Sequence, residues 1–232
     1  MTRLGRRCVG PVVLLAILTL VNPVHGARTS SLFDRLVPPS SPIPFPFERL
    51  LDLLDDRIGH ADDGSSRLKM VLLPYGRSLQ RHAPAPAHLR HPRWVVGIDT
   101  ESTGSAGREL VKDRLFIGYQ PAAESLEVIS YDETSGRFVF QVVTEYAPGR
   151  QARRHTPDRA LCTACHQNEA PIFADEAWSE SNANPRLLRA MHEAGMPFRG
   201  DWIARGAHHA AAFDNATDRA NLLPRYARVW PL

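Results

Sequence analysis

Cys162-Thr163-Ala164-Cys165-His166 is the stretch that most restricts what this chain can become. Two thiols stand three positions apart with an imidazole directly behind the second, and few chemistries use that arrangement. Its meaning depends on where the chain resides. The first 26 residues open with Arg3, Arg6 and Arg7, run apolar from Val12 to Val21 and end in Val24-His25-Gly26. That order predicts a secretory signal peptide cleaved after Gly26. The alternative is an uncleaved anchor, for which the apolar run is short. Cys8 precedes the apolar run, the wrong side for a lipid-modified cysteine, and leaves with the peptide. The mature chain then keeps only the pair Cys162 and Cys165, in a compartment where idle thiols oxidise. Some chemistry must occupy them.

Charge excludes one class of partner. Over all 232 residues the formal charge is +3, but residues 1–26 hold three arginines and no acid, so 25 bases face 25 acids in the mature chain. The bases are nearly all arginine and are spread along the sequence, which leaves no electrostatic footprint for nucleic acid. A membrane partner is expected only if the signal segment stays uncleaved.

Hydrophobic patterning divides the chain into segments 1–26, 27–60, 61–150 and 151–232. In the second, VPPSSPIPFPF (37–47) carries five prolines and predicts an extended strap. FERLLDLLDDRIG follows it, with Phe47, Leu50, Leu51, Leu54 and Ile58 at helical spacing, and predicts a short amphipathic helix. Residues 61–150 hold runs such as RWVVGID, RLFIGYQ, SLEVISYD and RFVFQVVTEY, rich in β-branched and aromatic residues. They predict an antiparallel β-rich unit of four to six strands, with a hairpin turn over Asp132–Gly136. Between Gln80 and Pro92, three histidines and three prolines predict a solvated loop; His82, His88 and His91 fit no usual metal spacing. In 151–232 the pattern turns helical. Thr156-Pro157-Asp158 reads as a helix start and Asn184-Pro185 opens a helix that Gly195 closes. Asp201 is placed to cap WIARGAHHAAAF, and ATDRANLL is a last helical stretch. The fold class expected is α+β, an antiparallel β-rich N-terminal unit followed by a small helical segment.

Cys-x-x-Cys-His is the attachment motif for haem c. Two thiols must each meet a vinyl group along one porphyrin edge, and three residues of helical rise set them about that far apart. The next residue then turns its imidazole under the iron, so Cys162 and Cys165 would bind the cofactor and His166 would be an axial ligand. Three rivals use the same cysteines. A redox disulfide wants a thioredoxin-like βαβ setting, a zinc site wants a second ligand pair, and a structural disulfide across two residues is strained.

The string CTACHQNEAPIF, followed by Trp178, Asn182-Ala183-Asn184-Pro185 and ATDRAN, resembles exported monohaem c-type cytochromes of bacteria. Within them it is similar to cytochrome-c-domain proteins that carry a β-rich segment ahead of the haem motif. The resemblance implies one covalent haem c with its iron, a periplasmic location and a redox partner protein whose identity it does not supply. Gly195-Met196-Pro197-Phe198 resembles the methionine loop of small c-type cytochromes, which would make Met196 the second metal ligand. His208 and His209 are the rival ligands, and an open distal face is the third option; Met191 reads as core and His192 as a partly exposed neighbour. Arg153, Arg154 and Arg159 stand close enough in sequence to pair with propionates. The function expected is a periplasmic single-electron carrier rather than a catalyst. The alternatives are a haem enzyme or small-ligand sensor with an open distal face, or a β-rich partner-binding module braced by the haem segment.

Overall fold

Alternating apolar residues become a six-stranded antiparallel sheet in the computed structural model, which describes residues 31–61, 63–74, 85–99, 111–166, 180–196 and 209–220. The strands are β1 Leu68–Leu73, β2 Arg93–Ile98, β3 Leu115–Gln120, β4 Ser125–Asp132, β5 Arg137–Thr144 and β6 Arg153–His155. They form a meander in which each strand pairs with the next, in the order β1-β2-β3-β4-β5-β6. The β4–β5 turn is one residue shorter than expected, because Asp132 still pairs with Arg137. Its carboxylate instead accepts the turn amides of Thr134 at 2.9 Å and Ser135 at 3.4 Å. The β pattern also runs past residue 150, where β6 adds a three-residue edge.

The pleat sends alternate side chains to opposite faces. One face carries Met70, Leu72, Trp94, Val96, Ile117, Val128 and Val143, packed against helices α1 Leu32–Leu36 and α2 Phe47–Ile58. Helix α2 buries Phe47, Leu50, Leu51, Leu54 and Ile58, the five residues its periodicity picked out. The proline-rich strap lies on the same cluster through Ile43 and Phe45; Tyr146 meets Phe45 edge-on and donates its hydroxyl to Pro44 O at 2.6 Å. Arg57 donates to Leu36 O, tying α2 to α1.

Helix α1 went unforeseen, and a buried polar knot holds it. The Asp34 carboxylate accepts from Ser31 Oγ at 2.8 Å, from Gln141 Nε2 at 2.9 Å and from Arg154 Nη1 at 2.7 Å. Arg154 also lies over the Phe33 ring at 4.5 Å. A buried carboxylate is tolerated where its oxygens find this many donors.

The other face carries Val71, Leu73, Phe116, Tyr131 and Phe138. A helix through 209–220 covers this part with Ala210, Phe213, Ala216 and Ala220. Small alanines let the helix approach, and Gly97 leaves room for the Phe116 ring, whose carbons would stand 3.0 Å from a Cβ at that position. Arg219 fastens the helix by donating to Asp113 at 2.6 Å and Asp99 at 2.8 Å. Residues 209–213 and 216–220, from stretches expected as separate helices, share this one element; Asp201, His208 and Asn221 lie outside the described residues.

Strand β1 borders the sheet, and two side chains serve its outer amides. Leu72 N donates to Asn182 Oδ1 at 2.9 Å, and Met70 N donates to His209 Nδ1 at 2.8 Å. After Asn182, helix α5 Pro185–Glu193 begins at the Asn184 cap and stops before Gly195, whose φ of +77° suits glycine. The expected loop of 80–92 contains a short helix, α3 Ala85–Arg90, whose Pro86 falls in the first turn, where an amide has no helical partner. His82 lies outside the described residues, His88 falls within α3, and His91 is exposed. Residues 1–26, with the expected signal peptide, are also outside. No helix among the described residues is long and apolar enough to cross a membrane. The architecture is thus mixed α+β.

Candidate functional site

The Cys162–His166 stretch lies on and just beyond a short helix, α4 Arg159–Thr163. Asp158 rather than Thr156 caps it, accepting the Ala160 amide at 2.9 Å. The helical turn continues through the motif, with Cys165 N donating to Cys162 O at 3.1 Å and His166 N to the same oxygen at 2.9 Å. This geometry brings Cys162, Cys165 and His166 together. The two sulfurs are not bridged to each other; Cys162 is partly buried and Cys165 exposed.

The motif lies over the sheet face opposite α2. The His166 ring packs 5.6 Å from that of Phe140 at an angle of 41°, and Phe140 shares its face with Phe138. Leu161, within α4, is 73 % exposed, and no other large apolar side chain among the described residues is as open. Burial pushes the Cys162 thiol up, Glu127 and Asp158 push it further, and Arg159 only partly offsets them. Redox-active cysteines need the reverse, a depressed pKa.

A polar strip runs beside the motif on the same face. Gly118 separates Arg93 on β2 from Glu127 on β4: a Cβ at Gly118 would stand 3.4 Å from Arg93 Cδ and 3.8 Å from Glu127 Oε2. Arg93 Nη1 and Glu127 Oε2 are 3.7 Å apart. Burial lowers the Arg93 pKa, and Glu127 opposes that. Gln120 and Ser125 stand opposite each other where β3 and β4 meet, both buried. Sequence reasoning passed over Phe140, Arg93, Gln120, Ser125 and Glu127. Strand alternation placed them on one face, but nothing local showed that the motif would lie over that face.

Met196 is placed elsewhere. With Met191 it joins the cluster of Leu72 and Trp94, on the face turned away from Phe140 and His166. Its amide donates to Met191 O at 3.0 Å, which folds the loop back under α5. The structure therefore does not bring Met196 and His166 together. His209 is engaged at the β1 edge and His192 is exposed on α5. Of the arginines near the motif, Arg154 is committed to Asp34 on the far face and Arg153 lies 3.3 Å from Glu145. Among the described residues no group of three His, Cys, Asp or Glu is arranged to hold a metal ion.

Compared with known proteins, the chain matches no family model, no curated protein and no solved structure.

Proposed function

We propose that the chain carries one haem c, joined through thioethers to Cys162 and Cys165 with His166 as axial ligand, and that it is a periplasmic single-electron carrier. The observation that carries this reading is the pair of unbridged, reachable sulfurs on one helical turn, with an imidazole directly behind them against an aromatic wall. When bound, haem supplies a one-electron iron couple whose potential depends on its ligands and surroundings. The chain's part is to hold and shield. Capping by Asp158 fixes the turn that spaces the sulfurs, Phe140 limits how the His166 ring can tilt, and Leu161 offers apolar surface beside the cysteines.

Protein matured in a host that attaches c-type haem is expected to be coloured and heavier by one haem. Cys165→Ser should retain a single thioether and shift the reduced absorption band. Colourless material of unmodified mass, with the sulfurs free or bridged to each other, overturns the proposal.

A second reading is favoured by the positions of Met191, Met196, His192 and His209, none of which the fold presents to His166. It is a haem enzyme or small-ligand sensor with an open distal face. Carbon monoxide separates the two: a reduced spectrum that shifts under the gas supports the open face, and one that stays put supports the carrier with both axial positions filled.

A further inference from the structure

The polar strip beside α4 holds more buried polarity than the sheet needs. Gln120 and Ser125 are 4 % and 6 % exposed and directly paired across β3 and β4. Among the described residues Gln120 Oε1 and Ser125 Oγ nevertheless have no hydrogen-bond partner. Buried polar atoms in native proteins are almost always satisfied, so two such atoms side by side point to a ligand that is not protein. Arg93 adjoins them at the end of β2, with its side chain 12 % exposed. Glu127, on the Gly118 side of Arg93, lies on β4 two residues from Ile129, the strand partner of Phe140, against whose ring His166 packs. The strip therefore begins beside the motif.

Its chemistry selects a carboxylate. A guanidinium fork grips carboxylate oxygens, a serine hydroxyl donates to them, and a glutamine amide offers either its oxygen or its NH2, the choice being set by the partner. Glu127 sits on the other side of Arg93, so one added carboxylate is tolerated where a polyanion would be repelled. Of the arginines before the motif, Arg153 and Arg154 face Glu145 and Asp34 instead, while Arg159 stands on α4 itself. Resting on the haem reading above, we propose that Arg93, Gln120 and Ser125 receive a propionate of the covalently held haem.

The experiment is a redox titration of the holoprotein across pH, comparing wild type with Arg93→Gln, Ser125→Ala and the surface control Arg150→Gln. Removing an opposite charge beside a carboxylate raises its pKa by roughly 1–3 units. The propionate-linked inflection of the potential should therefore move up by about that much in Arg93→Gln. The potential should fall, because the ferric state loses a repelling cation. Ser125→Ala should shift both in the same directions by less, and it serves alone if Arg93→Gln does not fold. Arg150→Gln should shift neither. A loaded protein whose inflection is the same in every variant overturns this inference and leaves the haem reading standing; failure of wild type to load overturns the haem reading itself. A second arm tests the other source of a carboxylate. The haem-free Cys162→Ala, Cys165→Ala chain is titrated with acetate, and acetate binding lost in Arg93→Gln, with the holoprotein inflection unmoved, assigns the cradle to a free small acid instead.

Discussion

Met196 shows how one residue's surroundings decide its role. Its sequence neighbours, Gly195 and Pro197, suit a loop that presents a thioether, yet its side chain is 7 % exposed within the cluster of Leu72 and Trp94. Met196→Ala should therefore cost about 2–5 kcal/mol in denaturant-induced unfolding, as buried methionine truncations do, while the absorption spectrum of the loaded protein stays as it was. Loss of a sulfur-to-iron band at unchanged stability would show that the loop leaves the core to reach the metal. Cys162, Cys165 and His166 stand out in the sequence because they lie in adjacent positions, and the structure keeps them on one helical turn. Arg154 was not, because its partner Asp34 lies 120 positions away. Nor was the shared burial of Gln120 and Ser125, which depends on strand register and on what lies over their face.

At the level of elements, legibility followed length and repetition. Helix α2 spans three turns with five apolar residues in register, and its burial matches them one for one. The β4–β5 hairpin was readable from two eight-residue strands and a glycine-ended turn. Three-residue β6 and five-residue α1 are too short to show any period, and they form because long-range partners hold them. Side chains likewise complete β1. Asn182→Ala would leave the Leu72 amide buried without its acceptor, a loss of about 1–3 kcal/mol. Urea unfolding of the variant against wild type checks this. A difference within error would mean that the Asn182 backbone amide, which donates to Leu72 O at 3.0 Å, holds the border unaided.

Across the whole molecule one sheet serves two purposes. One face carries the core of α1, α2, the strap and α5; the other is shared between the 209–220 helix and the motif. The join between that last helix and the sheet rests on Arg219 with Asp99 and Asp113. Burial raises the Asp113 carboxyl, outweighing the pull of Arg219, so the folded protein takes up this proton before the unfolded chain does. Through this group, acidification towards the ordinary value of 3.8 favours the fold. Asp113→Asn removes the titration, and thermal melts from pH 6 to about pH 3 should show wild type gaining on the variant as pH falls. A gap that narrows with acid would mean that the ion pair dominates.

Sheets with bare borders recruit one another into fibres and precipitates. Among the described residues the first border is met by an amide and an imidazole from later in the chain, and the last strand is a stub of three residues, two of them arginine, that pairs with the end of β5. Along β1 a neighbouring molecule therefore meets amides that already have acceptors, which disfavours edge-to-edge pairing on that side.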